Sequence, residues 1–174
     1  MQLTRLSQIF TLAAFLGTGT AAWAGPEEDY RKGLAARAAN DVVGAMASFT
    51  AALDSDPGHA DAAFERGRLL LLIGEPLNAI ADFTTAVIGN PGNGQAYALR
   101  GQAKATLGDN KAAAADFDKA VDVSPADFDV YVRRATYRLQ AGQIPAAIAD
   151  LEKAQTLSTP ADAAEIGRTL DKLR

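Results

Sequence analysis

The chain has 174 residues, 48% of them hydrophobic, enough to give one domain a buried core and to exclude a disordered chain. Aromatic residues make up only 7% and alanine is abundant, which favours closely packed helices over a β-sandwich. A net charge of −4 argues against nucleic-acid binding, which rests on a concentrated basic surface, and the absence of cysteine excludes disulfides, thiolate zinc sites and cysteine nucleophiles.

Residues 1–24 carry one base, Arg5, and no acid. An apolar stretch from Ile9 to Leu16 and small residues from Gly17 to Ala22 lead into Ala22-Trp23-Ala24, the small-x-small pattern that signal peptidase cuts. Gly25-Pro26 and the acidic run Glu27-Glu28-Asp29 follow at once. The pattern predicts a signal peptide over 1–24 and a mature chain 25–174, which loses Arg5 and carries 16 − 21 = −5. Retention as a membrane anchor is the alternative, but the apolar run falls short of the ~20 residues a spanning helix needs. With no Cys after it, a lipoprotein anchor is excluded. The expectation is export, to the periplasm or out of the cell, with no integral membrane segment after cleavage.

The rest of the chain repeats itself. Pro57, Pro91 and Pro125 stand 34 residues apart. The same offset relates Ala45, Ala79, Ala113 and Ala147, then Phe49, Phe83, Phe117 and Leu151, then Ala52, Ala86, Ala120 and Ala154. It also relates Gly33, Gly67, Gly101 and Ala135, and the turn residues Asn40, Gly74, Gly108 and Gly142. A period of this length marks a stack of supersecondary units. Each copy reads as a helical hairpin. A first helix runs to the Gly or Asn turn, where φ > 0 is wanted. A second starts near Asp41, Glu75, Asn110 or Gln143, with Pro76 and Pro145 in its first turn, and ends at Asp56-Pro57, Asn90-Pro91 and Ser124-Pro125. The Gly/Ala column is expected to face the Ala column of the partner helix, with the Phe column filling the gap toward the next hairpin. The expected boundaries are 25–59, 60–93, 94–127 and 128–159. A closing helix follows over 160–174, capped by Thr159 and carrying Ala163, Ile166, Leu170 and Leu173 as one apolar stripe that seals the last hairpin.

These columns resemble the tetratricopeptide repeat. The third copy is nearest the pattern, with Ala96-Tyr97-Ala98-Leu99-Arg100-Gly101, Gly108-Asp109, Ala113, Asp116-Phe117, Ala120-Val121 and Ser124-Pro125. The resemblance covers residues 26–161 and implies an all-α, right-handed α-solenoid of four hairpins plus a capping helix. It departs at Asp29 and Ala63, where a large residue is expected, at Asn40, and at Pro160, one residue late.

Two further columns carry charge. Lys32, Arg66, Arg100 and Arg134 lie 34 apart, and so do Asp82, Asp116 and Asp150, with Ser48 in the first copy. Each Asp follows its Arg by 16 residues, which predicts structural pairs Arg66–Asp82, Arg100–Asp116 and Arg134–Asp150 rather than an anion-binding ladder. As partly exposed pairs they would contribute ~0.5–1 kcal/mol each.

The resemblance implies a concave face built by the first helix of each hairpin. The positions carried over are Glu27, Tyr30, Leu34, Arg37 and Ala38; Asp61, Phe64, Arg68, Leu71 and Leu72; Gln95, Ala98, Gln102, Ala105 and Thr106; and Asp129, Val132, Thr136, Leu139 and Gln140. Leu69-Leu70-Leu71-Leu72-Ile73 is apolar all round, which predicts an apolar binding patch of Tyr30, Leu34, Phe64, Leu71 and Leu72 on the first two copies, unless these residues are buried under the neighbouring hairpin. Some repeats of this family grip a C-terminal carboxylate with Lys and Asn. Here the corresponding positions hold Tyr30, Leu34, Asp61, Glu65, Gln95 and Leu99, so that clamp is absent.

Chemistry is sparse. The single histidine, His59, lies near Asp54, Asp56 and Asp61, but the further oxygen ligands of a calcium loop are missing and a solvated turn is the reading. Gly89-Asn90-Pro91-Gly92-Asn93-Gly94 lacks the Gly-Lys-Ser/Thr of a phosphate loop. No catalytic group, metal or cofactor is expected. The function read from the sequence is a non-enzymatic scaffold in the cell envelope that binds a protein or peptide. A self-associating structural subunit and an accessory subunit of an envelope enzyme are the rival readings.

Overall fold

The computed structural model describes residues 25–174; the predicted signal peptide, 1–24, lies outside the described residues. Among those described, nine helices follow one another: α1 (Pro26–Ala38), α2 (Val42–Ser55), α3 (Ala60–Leu72), α4 (Pro76–Gly89), α5 (Gly94–Thr106), α6 (Asn110–Val123), α7 (Phe128–Gln140), α8 (Ile144–Leu157) and α9 (Pro160–Leu173). They pair as α1/α2, α3/α4, α5/α6 and α7/α8, and α9 closes against α8. The result is a right-handed α-solenoid. No described helix is long and apolar enough to cross a membrane.

Local chemistry sets these limits. The turn inside each hairpin needs a left-handed residue, and Asn40, Gly74, Gly108 and Gly142 take φ of 58, 81, 83 and 73°. With that residue in place, the next N–H folds back on the helix: Glu75 donates to the Leu70 carbonyl at 2.8 Å and Gly74 to that of Leu71 at 3.2 Å. The other three turns repeat the pair of bonds. The following helix starts on Asp41 or Asp109, whose carboxylates accept from Gly44 and Ala112 N–H groups, or on Pro76 at the first position of α4. Thr159 caps α9 by accepting from the Asp162 N–H, and its hydroxyl donates to the Asp162 carboxylate at 2.6 Å.

The core is a row of rings and alanine methyls. Phe49 and Phe83 are fully buried, Phe117 and Leu151 nearly so, among Ala45, Ala52, Ala79, Ala113, Ala120, Ala147 and Ala154. The Gly column sits differently from the expectation. A Cβ on Gly33 would stand 2.4 Å from the Phe49 ring, and one on Gly67 2.9 Å from Phe83, so the glycines face the phenylalanine of their own hairpin. Only Gly101 comes nearest the partner helix at an alanine, 3.1 Å from the Ala113 carbonyl oxygen. In the fourth hairpin Leu151 replaces the ring, and there Ala135 replaces the glycine, fully buried. Ile166 and Leu170 of α9 bury into the same cluster as Leu151, with Leu173 half-buried beside them.

Candidate functional site

The first helices of successive hairpins meet directly, α3 against α5 and α5 against α7. Their outward residues line the concave side. On the first two hairpins this side is filled. Tyr30 and Leu34 are half-buried against the cluster of Phe49 and Leu69. Phe64 is half-buried, edge-on to Phe83 with centroids 6.1 Å apart, and Leu71 lies on the cluster of Phe83 and Leu99. Leu72 alone of the five is open, 71% exposed, at the end of α3. Across this surface lies an ion triad: the buried Glu65 carboxylate accepts from Arg37 and from Arg68, the latter at 3.3 Å. The Arg68 guanidinium also sits 5.8 Å over the Phe64 ring. Burial first, then the carboxylates of Asp61 and Glu65, push the Tyr30 phenol up.

On the third hairpin the concave side opens. A cavity of about 420 Å³ lies between α5 and α7, lined by Gln102, Ala105, Thr106, Asp129, Val132, Arg133, Thr136, Tyr137 and Gln140 over Phe117. Its cause is a missing side chain. At the column of Arg37, Leu71 and Leu139 the third copy has Ala105. Tyr137 stacks on Phe117 at 4.9 Å to form the floor, and its hydroxyl donates to the Asn110 carbonyl. Arg133 is held by Asp129 at 2.7 Å and donates to Gln102 Oε1 at 3.3 Å. That turns the Gln102 amide edge into a fixed part of the rim.

Of the expected concave positions, Gln102, Ala105, Thr106, Asp129, Val132, Thr136 and Gln140 line this cavity, and Arg37 and Arg68 join the triad. Ala98 is a correction: it is fully buried in the cluster of Val130 and Tyr131 and cannot touch a ligand, because a methyl at this position slips under the next hairpin where Phe64 cannot. Sequence reading missed Arg133 and Tyr137. The Asp129/Arg133 spacing of four on one helix face was the signal for the first.

The charge columns come together. Arg66 donates Nε and Nη2 to both oxygens of Asp82 at 2.8 and 2.7 Å, Arg100 likewise to Asp116 at 2.8 Å each, and Arg134 to Asp150 at 3.0 and 2.7 Å. Nη1 of each reaches back to the preceding hairpin, to Thr50, Thr84 and Asp118 at 3.3, 3.3 and 2.9 Å. These bonds tie hairpin to hairpin, a third column that the sequence reading did not use. Lys32, on the first described hairpin, pairs locally with Asp29 and Glu28. His59 is not merely a solvated turn: its Nδ1 accepts from the Ala62 N–H at 3.3 Å and starts α3, as Asn93 and Asp127 start α5 and α7. Among the described residues, no group of three or more His, Asp or Glu is placed to hold a metal ion.

Stacked two-helix units with a concave inner face define a helical-repeat scaffold. The tetratricopeptide repeat model matches residues 30–94 and 98–165, and the chain belongs to that family. The fold is shared with solved structures. One is a thermophilic TPR protein of Thermus thermophilus, with TM-score 0.71 and 22% identity over 86% of this chain and 81% of that one. Another is MamA from Desulfovibrio magneticus RS-1, with TM-score 0.68 and 24% identity over 76% and 75%. A third is the first TPR of Spaghetti (RPAP3), bound to the HSP90 peptide SRMEEVD, with TM-score 0.61 and 20% identity over 67% and 93%. No curated protein matches the chain.

Proposed function

We propose that the protein is a non-enzymatic scaffold of the cell envelope that holds a segment of a partner protein in its concave groove, centred on α5 and α7. The observation that carries this is the preformed cavity left by Ala105. Its rim offers the amides of Gln102 and Gln140 and the Thr136 hydroxyl, which can bond to a peptide main chain, while Val132, Ala105 and the Tyr137 ring can receive a side chain. The RPAP3 repeat holding its peptide supports a groove of this kind as a peptide seat. The small-x-small pattern ending at Ala24 supports export, and mass spectrometry of the protein from its host should find an N-terminus at Gly25.

The test is capture from envelope extract with the tagged protein, beside Ala105→Leu. That variant fills the cavity with the side chain that the second and fourth copies already carry at this column. A partner held by the parent and lost by the variant is the expected result; equal capture would put the binding surface elsewhere. A rival reading, a self-associating subunit, draws on an exposed apolar row at the hairpin tips, with Val43, Leu77, Ile73 and Leu107 exposed by 81, 69, 54 and 51%. A mass in solution that rises with concentration, and falls to monomer with Leu77→Glu, would favour it.

A further inference from the structure

The groove does not stop at α7. On the other side of that helix a second hollow of about 310 Å³ opens against α9, with Phe128, Leu139, Leu151 and Ile166 as its apolar lining. Val132 and Thr136 are common to both hollows, so α7 forms a low wall between two chambers. The outer rim of the second chamber belongs to α9 and carries Asp162 and Glu165. Their charge is not neutralised. Asp129 in the first chamber is paired with Arg133, whereas neither Asp162 nor Glu165 has a cationic partner among the described residues. Asp162 accepts only the Thr159 hydroxyl and is otherwise free toward the chamber.

We propose that the two chambers seat an extended segment bearing two apolar side chains three residues apart and a lysine or arginine that meets the Asp162/Glu165 rim. This rests on the scaffold reading above and specifies its peptide. The spacing follows from geometry. Hollows on either side of one packed helix lie about one interhelical distance apart, ~8–10 Å. A polyproline II segment turns every three residues and rises ~3.1 Å per residue, so residues i and i+3 point the same way ~9 Å apart. A β-strand puts same-face residues ~7 or ~14 Å apart and matches neither. The charge follows from the unpaired acids, which attract a cation and repel an acidic tail.

The experiment selects random peptides displayed on phage against the purified full chain, then measures a labelled selected peptide by fluorescence anisotropy. The expected enrichment is two apolar residues three apart followed or preceded by Lys or Arg. Glu165→Lys should weaken that peptide about tenfold and flatten its salt dependence. Ala105→Leu should weaken it at least about tenfold by filling the first chamber. Glu165 is exposed, the positions equivalent to Ala105 in the second and fourth copies carry Leu, and circular dichroism checks that helicity is kept. Peptides lost with Ala105→Leu but lacking the basic residue or the spacing would overturn this inference and leave the scaffold reading standing. Peptides indifferent to both substitutions would overturn both. A selection that enriches nothing would overturn the inference and leave the scaffold reading to the capture experiment.

Discussion

What an ion pair contributes depends on the charge left behind when one partner is removed. Asp82, Asp116 and Asp150 are 6, 5 and 4% exposed, far drier than the partly exposed pairs the sequence suggested. Stripping a buried carboxylate of its cation costs ~3–5 kcal/mol, against under ~1 for a surface pair. The three sites differ in reserve. Asp116 also has Lys104 at 2.8 Å and Asp150 has Arg138 at 2.7 Å, whereas Asp82 has Arg66 alone among the described residues. Arg66→Ala should therefore lower the unfolding free energy by about 3 kcal/mol, and Arg100→Ala or Arg134→Ala by about 1–2, read by urea titration. Equal losses at the three sites would show that the second cations do not substitute. The Arg66 guanidinium is pushed above its ordinary value, first by its hydrogen bond to Asp82 and against the pull of burial. A base with a raised folded-state pKa keeps its whole contribution below its unfolded value and loses it only as pH climbs through the folded one. That window lies far above neutrality, so the Arg66→Ala penalty should be the same at pH 7 and pH 9.

Within one hairpin, two columns behave as a single unit. A Cβ at Gly67 would press to 2.9 Å from the Phe83 ring, while the fourth hairpin accommodates Ala135 because Leu151 is there instead. Gly67→Ala should cost ~1–3 kcal/mol through overpacking, despite the helix propensity gained. Adding Phe83→Leu should recover ~1 kcal/mol of coupling in a double-mutant cycle, and additive losses would refute the contact. The sequence carries a signal for this pairing, Gly-Phe three times and Ala-Leu once 16 residues apart, although the columns alone suggest that the glycines face alanines. The turns were readable in it, since a left-handed φ is a local demand that Asn40, Gly74, Gly108 and Gly142 meet by themselves. The cavity was half legible: Ala105 among Leu71 and Leu139 marks a gap, but a gap becomes a pocket only when the next helix leaves it unfilled. Ala98, also a small residue in a column with Phe64, was closed over by its neighbours instead. Local spacing carries caps and turns; it does not carry which face the adjoining hairpin covers.

Along the whole molecule each hairpin touches only its neighbours, so stability passes down the stack as a chain of interfaces. One end is closed by α9, whose Ile166 and Leu170 are 7 and 2% exposed against the fourth hairpin. The same helix supplies the outer wall of the second chamber, which couples the end of the solenoid to the groove. Leu170→Ala removes buried methyls at that seal and should cost about 2–4 kcal/mol. In a stack with neighbour-only contacts the loss should not spread evenly. Amide hydrogen exchange should quicken in α7, α8 and α9, while α1 to α4 keep their protection. Leu170 does not line either chamber, so any weakening of a groove-bound peptide in this variant would come through a loosened α9 and not through a lost contact. Uniform loss of protection from α1 to α9 would instead mean that the Arg66, Arg100 and Arg134 bonds between hairpins weld the stack into one cooperative unit, and the groove would then open and close only with the whole fold.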